Sequence, residues 1–151
     1  MISAQTEILP FIRDKMGHII KDVFEKSPQR IYLEVDPKDI PEASRVLFKE
    51  AKARFQIASA IDTPSGIEIL YHWVFDTYNC IVTIKTTLDR EKPEIESIAP
   101  FCVAAEWIER EMWELLGITF KNHPDMRHLL LKDDWPEGQY PLRRDYKKEQ
   151  A

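Results

Sequence analysis

Glycine is scarce in this chain: four residues in 151, against ten prolines. Four glycines build no Gly-rich phosphate loop, no Walker pattern and no GxSxG elbow. They also leave few of the positive-φ positions that catalytic loops often use. Cysteine is nearly absent as well. Cys80 and Cys102 form no CxxC pair and fall short of the four thiolates that an iron–sulfur cluster generally takes. None of His18, His72, His123 and His128 lies at zinc-ligand spacing from either cysteine, so two buried free thiols in a reducing compartment are expected. A basic excess is missing: 26 acids against 21 bases give a net charge of −5, which argues against a general nucleic-acid binder. No apolar run approaches the roughly 18 residues of a membrane span. The opening MISAQTEILPFIRDKM has neither the apolar core nor the cleavage site of a signal peptide, which makes the cytoplasm the expected compartment. What is present is ordinary for a globular domain, with 44% hydrophobic and 31% charged residues in 17.8 kDa.

Periodicity divides the chain into elements. Across residues 7–26, Ile8, Leu9, Ile12, Met16, Ile19, Ile20 and Val23 share one helical stripe, which Ser27-Pro28 would end. Pro10 would sit in that helix's first turn or mark a late start. RIYLEVD (30–36) alternates as a half-buried strand does, and Ile40, Ala43, Val46, Leu47 and Ala51 mark a second helix closing near Arg54. Residues 56–62, 67–76 and 80–89 read as three strands, the last two joined as a hairpin at 76–79. His72 lies mid-strand beside Leu70 and Val74 as a structural histidine, and Tyr71, Trp73 and Phe75 read as core. A charged connection over 90–97 leads to a third helix, opened by Pro100 and stopped at Gly117. The expectation is a two-layer α+β domain over 1–117, in the order α-β-α-β-β-β-α, followed by an extended, proline-containing arm over 118–151.

The third helix places Phe101, Ala104, Ala105, Ile108, Met112, Leu115 and Leu116 on one face, and Glu106, Arg110 and Glu114 as a surface ion-pair row on another. Glu111 falls inside the apolar arc, where a carboxylate needs a cationic partner, and Trp113 projects from the polar side, where it needs a cover. The arm keeps Phe120, Leu129, Leu130, Leu131, Trp135, Tyr140 and Leu142, too much apolar surface for a disordered tail. It therefore reads as a stiffened segment lying over its own domain or over a partner, with Arg127, Arg143 and Arg144 suited to carboxylate pairing.

These last residues carry a resemblance. The run Glu109-Arg110-Glu111, then Glu114-Leu115-Leu116-Gly117, then His123-Pro124-Asp125, Arg127 and Leu129 is similar to the motif of the 30-kDa (NuoC-like) subunit family. That family belongs to respiratory complex I and is shared with membrane-bound NiFe hydrogenases and related ferredoxin-dependent complexes. Asp134-Trp135-Pro136-Glu137-Gly138 and 141–146 (PLRRDY) resemble its closing stretch, so the likeness covers roughly 101–146. Glu114 stands where many members carry aspartate, and the chain stops soon after Tyr146, a short form more like the hydrogenase-type complexes. The resemblance implies a non-catalytic scaffold subunit on the cytoplasmic side of the membrane, attached to it only through the complex. No cofactor would be bound by this chain. The NiFe site and the iron–sulfur clusters would belong to its partners, a NiFe-type large subunit and iron–sulfur subunits. It implies an interface through Trp113, Trp135, Tyr140, Leu142, Arg143, Arg144 and Asp145, and a pairing of Glu111 with an arginine such as Arg127. The equivalent subunit of an NADH:quinone oxidoreductase or of a sulfur-reducing relative is the alternative.

Two readings from other classes compete. One is a small acid–base enzyme using Glu109, Glu111 and Glu114 with His123 or His128, although Glu109 and Glu111 point about 160° apart on the wheel. The other is an anion-binding module built on Arg143, Arg144, Lys147 and Lys148, which Asp133, Asp134, Glu137, Asp145 and Glu149 offset.

Overall fold

The computed structural model describes residues 4–148. Helix α1 (Ala4–Met16) carries Ile8, Leu9, Ile12 and Met16 inward, with Pro10 in its middle rather than at its start. It stops at Gly17, and the chain turns directly into strand β1 (Ile20–Ser27), which forms an antiparallel hairpin with β2 (Arg30–Val35). The single helix expected over 7–26 is therefore a helix and a strand, and Ser27-Pro28 is a hairpin turn instead of a helix stop. Register shifts near both ends of β1 break the two-residue alternation by which a strand is recognised in sequence.

A short 3₁₀ turn (Pro37–Asp39), α2 (Ile40–Arg45) and one π turn (Val46–Glu50) form the second helical segment. Strands β3 (Arg54–Thr63), β4 (Gly66–Phe75) and β5 (Cys80–Leu88) follow as a meander. β5 then pairs in parallel with β2, giving the five-stranded order β1-β2-β5-β4-β3. Strand alternation puts Ile31, Leu33, Ile67, Ile69, Tyr71, Trp73, Val82 and Ile84 on the inner face, where they form one core with the helices. Both cysteines are buried free thiols. Among the described residues, the opposite face has no helical cover. There His72 bonds Thr83 Oγ1 at 2.8 Å, and Phe24, Ile57 and Ile61 are exposed.

Beyond the sheet, β6 (Glu94–Glu96) pairs in parallel with β7 (Thr119–Lys121), two three-residue strands that flank α3 (Glu106–Leu116) in the chain. Residues 90–97, expected as a plain connection, thus contain a strand, and the first residues of the arm return to pair with it. Ile118 and Phe120 are buried and belong to the core. The mixed α+β class and its helix-covered sheet agree with the sequence reading, with β1, β6 and β7 added.

Candidate functional site

Helix α3 organises the region that carries the motif. A 3₁₀ turn (Val103–Ala105) leads into it, and Gly117 closes it in the left-handed conformation at φ 73°. Its buried line is Ala105, Glu109, Met112 and Leu116, while Phe101, Ile108 and Leu115 are half-buried and Ala104 is exposed. The inner face is thus rotated by roughly half a residue step from the one that periodicity marks. That rotation makes Glu109, rather than Glu111, the buried carboxylate of the domain side.

Glu109 is fully buried. It accepts the Ile98 N–H at 2.9 Å and the Ser97 hydroxyl, so it ties α3 to the segment following β6. The buried His123 ring lies 3.8 Å away. His123 Nδ1 accepts the Asp125 N–H at 3.1 Å, which leaves Nε2 to donate to the Glu106 carbonyl at 2.9 Å. Both ring nitrogens are thereby committed, and the imidazole supplies no counter-charge to Glu109. Desolvation dominates and pushes the Glu109 carboxyl up to about 7, against the Ser97 and backbone hydrogen bonds that favour its ionised form.

The other two ionic residues of the motif clamp the arm. Arg110, 4% exposed, donates through Nε to the Arg127 carbonyl at 2.9 Å and through Nη2 to the His128 carbonyl at 2.7 Å. Glu114, 2% exposed, accepts three successive backbone N–H groups, from Leu129 (3.1 Å), Leu130 (2.6 Å) and Leu131 (3.3 Å), and faces His128 Nδ1 at 3.0 Å. Burial opposes ionisation of Glu114, but the bonds from Leu130, His128, Leu129 and Leu131 outweigh it and hold the carboxyl below its ordinary range. The expected surface row of Glu106, Arg110 and Glu114 is therefore not a surface row. An extended arm has no internal ladder for its N–H and C=O groups, and these two side chains supply the missing partners.

Trp113 is half-buried with its ring 5.1 Å from that of His128, so its cover comes from the chain's own arm. Glu111 is half-buried and makes no hydrogen bond or ion pair among the described residues. Arg127 is exposed and pairs with Asp125 at 3.0 Å, so the suggested Glu111–Arg127 pair does not form. Farther along, Leu142 N–H reaches the Leu115 carbonyl at 2.9 Å, and Arg143 donates to the Leu116 and Arg90 carbonyls. The Arg144 N–H bonds Asp62 Oδ2 at 2.9 Å, and the other oxygen of that buried carboxylate lies 2.5 Å from Arg90. Tyr140 packs over the helix stop, where a Cβ on Gly117 would stand 2.6 Å from its ring. Trp135 is half-buried and donates to the Gln139 carbonyl, while the Arg144 and Asp145 side chains are exposed. Sequence reasoning missed Asp62 and Arg90, which lie far from the motif in the chain, and Trp107, which is 68% exposed on α3.

A shallow groove of about 600 Å³ runs between Arg90 and the arm's Tyr140, Arg143 and Lys147, and none of Glu109, Glu111 and Glu114 lines it. Among the described residues no group of three His, Cys, Asp or Glu is placed to hold a metal ion, and no helix is long and apolar enough to cross a membrane.

Fold and clamp define a two-layer α+β domain whose last helix holds a long extended arm through buried ionic side chains. Residues 33–151 match the family described as the respiratory-chain NADH dehydrogenase 30-kDa subunit, and the chain belongs to that family. It is 35% identical over 146 residues to a subunit of the F420H2 dehydrogenase of Methanosarcina mazei, covering 92% of this chain and 89% of that one. It is 34% identical over 142 residues to a subunit of the NADH-quinone oxidoreductase of Chloroherpeton thalassium, covering 90% of this chain but only 58% of the relative's length. Among solved structures, the fold is shared with a chain of the archaeal membrane-bound sulfane sulfur reductase at a TM-score of 0.83 and 24% identity, over 95% of this chain and 85% of that one. It is also shared with a trypsin-resistant fragment of Nqo5 at a TM-score of 0.66 and 16% identity, over 80% and 98% of the two chains.

Proposed function

We propose that this chain is a scaffold subunit in the peripheral arm of a membrane-bound electron-transfer complex, on the cytoplasmic side, packed against a NiFe-type large subunit. Iron–sulfur subunits are further partners, and the metal chemistry belongs to those neighbours rather than to this chain. The observation that carries this reading is the fate of the motif. Glu109, Arg110 and Glu114 each end on backbone N–H or C=O groups of their own chain, so their work is to fix a shape. A fixed arm loses little conformational freedom on docking, which favours a stable joint between subunits.

A second reading, the equivalent subunit of an F420H2- or sulfur-linked machine, is supported by the 35% identity to the F420H2 dehydrogenase subunit of Methanosarcina mazei over 92% of this chain. Affinity purification through a tag on this chain, from its own membranes, tests both. A NiFe-type large subunit carrying four metal-binding cysteines is expected in equal amount. A large subunit without those cysteines selects the second reading, and recovery of this chain alone removes both.

A further inference from the structure

The buried carboxylate of Glu109 lies between the core and the root of the arm, and donors reach it from one side only. On the core side the Ile98 N–H and the Ser97 hydroxyl donate to it. On the arm side stands the His123 ring, its side chain 1% exposed, with Nε2 3.8 Å from Glu109 Oε2. That separation is too long for a hydrogen bond, and the Nε2–H goes instead to the Glu106 carbonyl at 2.9 Å. Two other titratable side chains lie close enough to feel the Glu109 charge, the Tyr71 phenol of β4 and the Cys102 thiol ahead of α3, and both are buried. The Tyr71 hydroxyl has no hydrogen-bond partner among the described residues. Arg110, next along the helix, is committed to the Arg127 and His128 carbonyls. No cation among the described residues therefore answers Glu109, but one N–H waits a short step away on a weaker acceptor.

The two protonation states of Glu109 make different demands on that N–H. A neutral carboxylic acid competes poorly with a peptide carbonyl, whereas a carboxylate is the stronger acceptor and, when buried, costly until donors reach it. Closing the gap to hydrogen-bonding distance takes a tilt of the ring by about 1 Å. The ring does not tilt alone, because Nδ1 accepts the Asp125 N–H at 3.1 Å. We infer that Glu109 and His123 form an acceptor switch at the root of the arm: with Glu109 protonated the Nε2–H stays on the Glu106 carbonyl, and when Glu109 ionises it moves to Oε2 and loosens the Asp125 N–H from Nδ1. The switch uses this chain's residues alone and does not depend on the scaffold reading. It gives two residues of the motif a joint role that clamping the arm through Arg110 and Glu114 does not need. Desolvation brings the Glu109 titration to about 7, so both positions of the N–H are populated near neutral pH.

The test is a pH titration of the ¹⁵N-labelled full chain from pH 5.5 to 8.5, read at the His123 ring nitrogens and the Asp125 amide. The Nε2–H resonance is expected to move with a midpoint near pH 7 while Nδ1 remains an acceptor. Protection of the Asp125 amide against hydrogen exchange should fall about fivefold across the same range. Glu109→Gln keeps an acceptor for the Ile98 N–H but cannot ionise, and both changes should vanish in it. Ser97→Ala removes a donor that favours the ionised form, so the midpoint should rise by about one pH unit. A stationary Nε2 resonance, or constant protection at Asp125, overturns the inference. So does an unshifted midpoint in the Ser97 variant. A proton gained by Nδ1, or an equal response in Glu109→Gln, assigns the titration to the imidazole itself and overturns it as well.

Discussion

At the scale of single residues, Glu109 makes stability depend on pH in a direction opposite to that of an ordinary salt-bridged carboxylate. Its folded value is raised to about 7 from an ordinary 4.5, so between those limits the folded chain holds a proton that the unfolded chain releases. This contribution is fully present below pH 4.5, falls as pH rises toward 7 and is absent above it. The loss is on the order of 3 kcal/mol. Glu109→Gln removes the titration while keeping an acceptor for Ile98 N–H. The variant is expected to be more stable than wild type at pH 8 and equal to it near pH 5, by denaturant titration at each pH. Parallel curves would mean that Glu109 keeps its charge when buried. Glu114 works the other way, since its depressed value means that its contribution is present above pH 4.5 and lost in acid. Gly117 is a third sensitive position, because alanine there would both strain a φ of 73° and meet the Tyr140 ring. Gly117→Ala should cost about 1–3 kcal/mol in thermal or chemical denaturation and displace residues around Tyr140.

At the scale of elements, the sequence is clearest where a pattern has room to repeat. The ten-residue strands β3 and β4 and the nine-residue β5 alternate over enough positions to be recognised, and the helix stop at Gly117 is explicit. Strand β1 hides because Ile19, Ile20 and Val23 continue the stripe of α1 while its own register shifts erase the alternation. β6 and β7 are too short for any period and exist only through each other. The polar face of α3 misleads for a related reason. Arg110 and Glu114 look like a solvated ladder because the arm that buries them lies 14 or more residues away in the chain. That geometry makes the arm's order depend on one carboxylate. Glu114→Ala leaves three N–H groups without their buried anion, at a cost of about 2–4 kcal/mol to the docked arm. Hydrogen exchange should then accelerate at Leu129, Leu130 and Leu131 by a factor of about 30 or more, while β4 and β5 amides keep wild-type protection. An unchanged rate at those three amides would show that the arm is held by something other than Glu114.

At the scale of the whole molecule, the boundary between domain and arm lies a few residues later than the helix stop suggests. Ile118 and Phe120 belong to the core, and β7 pairs with β6, whereas within 122–148 no residue is buried as a whole, although the His123 ring is. Core burial and docking are thus divided at about residue 121, and truncation separates them. Removing the chain from 118 onward deletes two core side chains and a strand, a loss of about 4–8 kcal/mol by large-to-small analogy, comparable to the entire stability of a small domain. Removal from 122 onward exposes Arg110, Glu114 and Asp62 to water, which can solvate them, and takes from the core only the edge contacts of the His123 ring and Met126. The longer truncated chain is therefore expected to unfold cooperatively a few degrees below the full-length protein, and the shorter one to show no cooperative transition by circular dichroism. Equal behaviour of the two would mean that Ile118, Phe120 and the β6–β7 pair add nothing to the core, and that Gly117 is the true edge of the domain.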